Sequence, residues 1–223
     1  SEAEKAAVEL LRSVNIPEPE RRVNEYPNQL SGGMRQRVMI AIAIACSPEL
    51  LIADEPTTAL DVTVQAQILE LLAEKQREYG MAMILVTHDL GVVARRTDAI
   101  AVMYAGRVVE YAPTRVLFRE TRMPYTHALL QAIPTIGAER KGRLRVIPGR
   151  PPDMRGNVVG CRFAARCTHV QDRCLQEEPP LLEGDTPGHL YRCWFPVGTP
   201  EGEAALARNE AAGNLVGATE GSA

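Results

Sequence analysis

Residues Glu49 to Pro56 read ELLIADEP, a short apolar run that ends in two acids and a proline. An unbroken apolar run of this length is typical of a strand buried on both faces of a parallel sheet. A second such run, MAMILVTHD from Met81 to Asp89, follows a helical pattern over Val62 to Tyr79. Gly80 is placed to end that helix. The strand, helix and strand in this order predict an α/β fold built on a parallel sheet.

The residues on either side extend this pattern. Ser31 stands before an apolar helical pattern from Gly33 to Ala45 and is well placed to cap it. Because apolar residues occupy most faces of that pattern, we expect this helix to be largely buried. Downstream, AIAVMYAGRVVEYA alternates like two strands joined by a tight turn at Ala105 and Gly106. The sequence therefore predicts a hairpin after the parallel strands.

Composition narrows the class of protein. The 223 residues are 45% hydrophobic and 24% charged, which is typical of a globular protein with one sizeable core. A net charge of -3 leaves no basic footprint for nucleic acid. The longest unbroken apolar run, Val38 to Cys46, is far shorter than the roughly 18 to 20 residues of a membrane-spanning helix. The N-terminal residues lack a signal-peptide pattern and an initiator methionine, so we expect a piece of a longer chain.

Changes in composition predict three segments. Residues 1–133 hold the α/β pattern. From Pro134 the chain becomes rich in Gly, Pro and Arg, and residues 134–195 are predicted to form a linker and a small separate module with four of the five cysteines. Residues 196–223 are rich in Gly, Ala and Glu, and we expect them to be disordered.

Polar side chains follow both predicted parallel strands. Asp54 and Glu55 end the first strand, and His88 ends the second in the sequence THD. Open α/β sheets bind their ligands at the carboxyl ends of the strands. Asp54 there can hold Mg²⁺ beside a nucleotide's phosphates, Glu55 can polarise an attacking water, and His88 can hydrogen-bond a γ-phosphate. Taken singly, each has a plainer interpretation: a solvated acidic turn, a structural histidine and, for Asp61 in the next turn, a helix N-cap.

A candidate anion site opens the helix that follows Ser31. The stretch LSGGMRQR, Leu30 to Arg37, places small residues at a helix N-terminus, where free backbone N–H groups and the helix dipole favour a negative group. The usual cradle for a nucleotide's phosphates, Gly-x-x-x-x-Gly-Lys-Ser/Thr, does not occur in the 223 residues. A phosphate at this helix would therefore have to be held mainly by other residues.

The joint order of LSGG, LIADE, ALD and THD between residues 30 and 89 resembles the nucleotide-binding subunits of ABC transporters. The resemblance implies a phosphate-loop NTPase-type fold that includes the helical signature region, and a head-to-tail dimer of ATPases with ATP and Mg²⁺ at the interface. It also implies a role for each matching residue: nucleotide contact by Ser31, Gly32, Gly33 and Met34, Mg²⁺ binding by Asp54, base catalysis by Glu55, an interface contact by Asp61 and switching by His88. Met34 stands where the commonest family form has Gln, and the oligopeptide and dipeptide importers look like this chain there.

The same resemblance implies an ATPase subunit that energises import of di- or oligopeptides, or of nickel, at the cytoplasmic face of the plasma membrane. Its implied partners are a second ATPase subunit, membrane permease subunits and, indirectly, an extracytoplasmic binding protein, with no nucleic acid. In this family the phosphate loop precedes the signature motif, to which Leu30 to Met34 correspond here, so we expect the 223 residues alone not to hydrolyse ATP. Two alternatives stay open: a non-transport ABC ATPase of DNA repair or translation, and a redox-responsive interaction fragment.

Four cysteines, Cys161, Cys167, Cys174 and Cys193, are spaced as C-x5-C-x6-C-x18-C. Such a set indicates either disulfides, with three possible pairings, or a metal or cluster site. A reducing compartment favours thiolate ligands, and zinc sites usually contain a tighter cysteine pair than any of these. The spacing is therefore more typical of a loose cluster-binding loop than of structural zinc.

The segments around these cysteines add to the resemblance. PYTHALLQAIP from Pro124, IPGRPP from Ile147 and the cysteine stretch look like the C-terminal extension of the peptide- and nickel-importer ATPases. The resemblance implies a [4Fe–4S] cluster on the four cysteines, with zinc and unmetallated thiols as alternatives. His169 and His189 are interpreted as surface residues, and Cys46 as a buried core thiol.

Overall fold

The computed structural model describes residues 1–133, 147–153, 155–156 and 158–213. The chain divides into two compact units, Ser1–His88 and Asp89–Ala223. This division at residue 88 differs from the predicted boundary at residue 133. Residues 134–146 of the predicted linker and 214–223 of the predicted tail lie outside the described residues.

The first unit contains the predicted strand, helix and strand. Its elements are α1 (Glu2–Ser13), α2 (Pro19–Arg22), a 3₁₀ turn (Pro27–Gln29), α3 (Gly32–Ile44), β1 (Leu50–Asp54), α4 (Val62–Tyr79) and β2 (Ala82–Val86). Strands β1 and β2 run parallel, with Leu50 opposite Ala82 at one end and Asp54 opposite Val86 at the other. Helix α4 ends at Gly80, whose φ of 62° is the left-handed cap that its position predicts. The parallel pairing and the crossover helix are thus confirmed.

One apolar core stabilises this unit. Ile44 of α3 and Ile68 and Leu72 of α4 are almost completely buried. Val14, at the C-terminal end of α1, packs into the same cluster. Each side chain of this size contributes about 1.5 to 3 kcal/mol when it leaves water. The core therefore lies between the helices and one face of the β1–β2 pair.

Burial in the first unit is less complete than the sequence predicts. Strand β1 is buried on one face only, because its side chains alternate between exposed and buried and Ile52 is 62% exposed. Helix α3 also has an open side, on which Ile42 is 70% exposed. Burial on both faces needs a layer on each side of a sheet, and the described residues of this unit supply one. Cys46, expected in the core, is exposed just beyond α3.

The second unit is built on an antiparallel sheet. Its elements are α5 (Leu90–Val93), β3 (Ala99–Tyr104), β4 (Arg107–Pro113), α6 (Thr114–Arg119), α7 (Pro124–Gln131), a 3₁₀ turn (Ala164–Arg166), α8 (Asp172–Gln176), β5 (Leu182–Glu183), β6 (Leu190–Tyr191) and α9 (Pro200–Ala211). The strand order is β3, β4, β6, β5. Ala105 and Gly106 have φ of 46° and 76°, as a tight hairpin turn between β3 and β4 requires. The predicted hairpin is confirmed.

Two predictions about the C-terminal part fail. The cysteine segment is not a separate module, because β4 pairs with β6 through Glu110 and Tyr191 and so shares one sheet with it. The predicted disorder from residue 196 does not hold for α9, which packs through the buried side chain of Asn209. The Asn209 amide donates to the carbonyls of Thr168 and Val170 at 2.8 and 2.9 Å. None of the helices in the described ranges has both the length and the apolar composition that crossing a membrane requires.

Candidate functional site

The predicted polar side chains meet at the shared carboxyl edge of β1 and β2. Asp54 ends β1 directly opposite Val86, the last residue of β2. Glu55 is tied to the same edge, because its backbone N–H donates to the Val86 carbonyl at 2.9 Å. His88 follows two residues after Val86 and reaches the Glu55 carboxylate. The expectation that a sheet edge assembles Asp54, Glu55 and His88 is therefore met.

Both oxygens of the Glu55 carboxylate are engaged. Its Oε2 accepts a hydrogen bond from the Thr58 hydroxyl at 2.8 Å, and its Oε1 lies 3.2 Å from His88 Nδ1. These two bonds, Thr58 first and His88 second, hold the pKa of Glu55 below its usual value, although the carboxylate stays open to solvent. We call Glu55, Thr58 and His88 the Glu55 cluster. Its carboxylate is ionised near neutral pH and accessible to water.

The backbone of this turn adopts an unusual conformation. Glu55 has a φ of 45° and Ala59 a φ of 63°, and both lie in the left-handed region that residues with a side chain seldom occupy. Such strained residues concentrate at functional sites. Thr58 was missed in the sequence, although a threonine three residues after an acid in a turn is a recognisable signal for a local hydrogen bond.

The signature residues take local roles at the start of α3. The Ser31 hydroxyl caps the helix by accepting the Met34 N–H at 3.3 Å. Gly33 sits where α3 and α4 approach closely, since a Cβ there would lie 2.8 Å from Val64 Cγ1. Within the described part of the chain, no hydrogen bond joins this helix terminus to the Glu55 cluster. A nucleotide contact by the signature residues stays a prediction.

Asp61 acts as the N-cap of α4. Its Oδ1 accepts the Val64 N–H at 2.9 Å, which is the plainer of the two interpretations drawn from the sequence. An exposed cap can still contact another subunit, and that role of Asp61 stays a prediction.

The second unit brings the four spaced cysteines around one small cavity. Its lining includes Cys161, Cys167, Cys174 and Cys193, all free thiols. Burial raises the pKa of each of the four, well above the usual range for Cys167 and to about 12 for Cys193. Within the described ranges, no group of His, Cys, Asp or Glu is arranged to hold a metal ion. The cavity thus gathers thiols without a preformed single-ion site.

Both nearby histidines are buried, which corrects their interpretation as surface residues. His169 lines the cysteine cavity, its Nδ1 lies 3.0 Å from the Thr168 hydroxyl, and burial lowers its pKa. His189 places its Nε2 2.8 Å from the Glu110 carboxylate, and both side chains are essentially inaccessible to solvent. Glu110 and His189 lie far apart in sequence, so no local pattern could reveal the pair.

Two family models match the chain. Residues 2–58 match the ABC transporter model, and residues 109–174 match the model of the oligopeptide/dipeptide transporter C-terminal region. Among curated proteins, the chain is 53% identical to a probable peptide ABC transporter ATP-binding protein of Sinorhizobium fredii, over 87% of this chain and 58% of that protein. It is 50% identical to the oligopeptide transport ATP-binding protein OppD of Bacillus subtilis, over 86% and 54%. It is 52% identical to the dipeptide transport ATP-binding protein DppD of Escherichia coli, over 86% and 58%.

The chain spans little more than half the length of these relatives. Among solved structures, it is 40% identical to the dimeric bacterial ABC transporter cassette MJ0796, over 50% of this chain and 47% of that chain, with a TM-score of 0.43. The two matched regions and the identity of about half the aligned residues agree with the motif order between residues 30 and 89. The chain therefore belongs to the ATP-binding family of ABC transporters, in the branch that carries the oligopeptide/dipeptide C-terminal region.

Proposed function

We propose that this chain supplies the hydrolytic edge of an ATPase subunit that energises import of di- or oligopeptides. The observation that carries the proposal is the Glu55 cluster, which joins an ionised carboxylate to an imidazole where two parallel strands end. The names of the relatives, which describe peptide, oligopeptide and dipeptide transport, favour this function over a non-transport ATPase. Nickel is the alternative substrate within the same proposal.

In this mechanism Glu55 receives the attacking water. The water oxygen forms a bond to the γ-phosphorus while the bond to the β-phosphate oxygen breaks, and the water proton passes towards Glu55. Because the pKa of Glu55 is lowered, it is a weak proton acceptor, and its main contribution is to orient the water. His88 fixes the carboxylate from the other side. Most of the rate enhancement in phosphoryl transfer comes from such positioning and from charge stabilisation.

Asp54 is the residue that would hold Mg²⁺. Its carboxylate is exposed at the end of β1, and a hard oxygen donor at this place suits the ion. When bound there, the ion would supply positive charge that stabilises the phosphates during the reaction.

The signature residues complete the site from a second ATPase subunit. Ser31, Gly32 and Gly33 offer the N–H groups at the start of α3 to a γ-phosphate that the partner holds. The Met34 N–H donates to the Ser31 hydroxyl in this structure, so its contact with the phosphate would require that cap to open. Asp61 contacts the partner subunit. The pair, a homodimer or a heterodimer, docks on permease subunits at the cytoplasmic face of the plasma membrane.

The test is a chimaera in which these residues replace the matching part of OppD from Bacillus subtilis, to which they are 50% identical. We expect Glu55→Gln to abolish ATP turnover while ATP binding persists and trap a closed dimer. Glu49→Gln, at the other end of β1, is the matched control and should leave turnover unchanged. Unchanged turnover in Glu55→Gln refutes the assignment.

A second proposal concerns the cofactor: we infer that the four cavity cysteines hold a [4Fe–4S] cluster. Their donor set fits, because all four are free thiols on one cavity. Cys161, Cys167, Cys174 and Cys193 would hold the cluster, because four cysteine thiolates are its usual ligand set. Bound iron would favour the thiolate forms, which burial disfavours by raising the pKa values of these thiols.

Iron and labile-sulfide analysis of anaerobically purified chain tests the cofactor. We expect about four irons per chain, lost when Cys167 and Cys193 become serine. Cys46→Ser, which alters an exposed thiol outside the cavity, is the control and should retain the iron. Zinc near one per chain without sulfide contradicts the cluster.

A further inference from the structure

We propose that Thr58 is a positioning residue for the Glu55 carboxylate, and that its hydroxyl sets the direction in which that carboxylate meets the water and His88. This inference rests on the proposed function and adds a residue that the motif order does not assign.

The geometry separates the two oxygens of Glu55. Thr58 Oγ1 donates to Oε2 at 2.8 Å, which leaves Oε1 for His88 Nδ1 at 3.2 Å. A carboxylate held at one oxygen only can rotate about its last side-chain bond, whereas two contacts on opposite oxygens define its plane. The hydrogen bond from Thr58 therefore fixes the orientation in which the Glu55 carboxylate presents Oε1 to His88.

The contact also favours one tautomer of the imidazole. An ionised carboxylate can only accept, so Nδ1 of His88 must carry the proton that bonds to Oε1. In the neutral ring, Nε2 is then an acceptor. Loss of the Thr58 bond frees the carboxylate to turn, and the Nδ1-protonated form loses its preference.

The turn does not depend on this hydroxyl alone. The backbone N–H of Thr58 also donates to the Glu55 carbonyl at 3.2 Å, and Leu60 closes the next turn onto Thr57 at 3.3 Å. Removing the hydroxyl therefore leaves the backbone turn intact. Thr57 makes no hydrogen bond to Glu55 in the described part of the chain, so it offers a matched control one residue away.

The first experiment needs no nucleotide. In the 223-residue chain, ¹³C NMR follows the titration of the Glu55 carboxyl, assigned with Glu55→Gln, and ¹⁵N NMR follows the tautomer of His88. We expect Thr58→Val to raise the pKa of Glu55 towards its usual value and to reduce the Nδ1-protonated form. Thr58→Ser should restore both readings, and Thr57→Val should match the unaltered chain. The proposal is wrong if Thr58→Val leaves the pKa of Glu55 unchanged, or if Thr57→Val changes that pKa by the same amount.

The second experiment asks whether the position serves the reaction. In the OppD chimaera, Thr58→Val should lower kcat about tenfold with little change in KM, since one hydrogen bond to a charged group is lost, and Thr58→Ser should recover most of it. If Thr58→Val moves the Glu55 titration but not kcat, the hydroxyl does not position the reacting carboxylate and the inference is wrong. If Glu55→Gln also leaves turnover unchanged, the proposed function fails as well, and the two failures are distinguished.

Discussion

Replacing Gly33 by Ala should destabilise the contact between α3 and α4. The added methyl would lie 2.8 Å from Val64 Cγ1, closer than carbon atoms pack. Val64 is β-branched and holds few rotamers in a helix, so it cannot swing aside without moving α4. Overpacking of this kind costs about 1 to 3 kcal/mol, against which the better helix propensity of Ala returns up to about 1 kcal/mol.

Gly32→Ala is the control for this change. A Cβ at residue 32 would meet Leu60 Cδ2 at 3.4 Å, an ordinary contact, so the helix gains without a clash. The difference between the two variants isolates the approach of Val64. We expect Gly33→Ala to be about 1 to 2 kcal/mol less stable than Gly32→Ala, which is about a 5- to 30-fold change in the equilibrium constant for unfolding of this region.

Hydrogen exchange measured by mass spectrometry suits this comparison, because the chain has two units and exchange reports on the stability of each separately. Peptides from α3 and α4 should exchange faster in Gly33→Ala, while the fluorescence of Trp194, the only tryptophan and part of the second unit, should be unchanged. Adding Val64→Ala should remove most of the difference between the two glycine variants. Equal exchange in Gly33→Ala and Gly32→Ala would show that close approach is not the reason for glycine here.

Three further outcomes are expected. Glu110→Ala should destabilise the second unit by about 1 to 3 kcal/mol, because it leaves buried His189 and two backbone N–H groups without their acceptor; urea unfolding followed by Trp194 fluorescence measures this, with exposed Glu183→Ala as control. Because the pKa of Glu55 is lowered in the folded chain, its hydrogen bonds stabilise the turn fully above the usual glutamate pKa and are lost as the pH falls through the folded pKa. Protection from hydrogen exchange at this turn should therefore drop on acidification. A drop that persists in Glu55→Gln would exclude Glu55 as its source. The 223-residue chain alone should show no ATP turnover that depends on Glu55; a rate above background that Glu55→Gln removes contradicts this.

The elements that local pattern determines were predictable. The parallel strands, the helix between them and its glycine cap follow from apolar runs and a single turn residue, and the structure confirms all three. The Glu55 site was predictable for the same reason, because side chains that follow parallel strands meet at one edge whatever else the chain contains. Thr58 belongs to the same local turn; its spacing from Glu55 signals a local hydrogen bond, but only the geometry shows that this bond reaches the carboxylate of the candidate site.

Burial was harder to predict, because an apolar run shows only that a side chain suits a core. Ile52 and Ile84 face each other across β1 and β2, and both are exposed. The same sequence would be buried on both sides of a sheet with a second covering layer. The pattern therefore predicted the two strands, but the number of layers that cover them depends on residues elsewhere.

Pairings between distant residues mark the limit of sequence reasoning in the second unit. The hairpin was predicted from its turn, yet its partner β6 lies about 80 residues downstream, which is why the cysteine segment was taken for a separate module. The same pairing brings His189 to Glu110 and Cys193 to the other thiols. Nothing in the sequence around a histidine or cysteine shows which distant residue it contacts. The spacing therefore identified the four cysteines as a set but could not show that they line one cavity. Because β4 and β6 belong to one sheet, the position of Cys193 depends on the β4–β6 pairing. A substitution at Glu110, which does not line the cavity, should therefore alter the arrangement of the four cysteines.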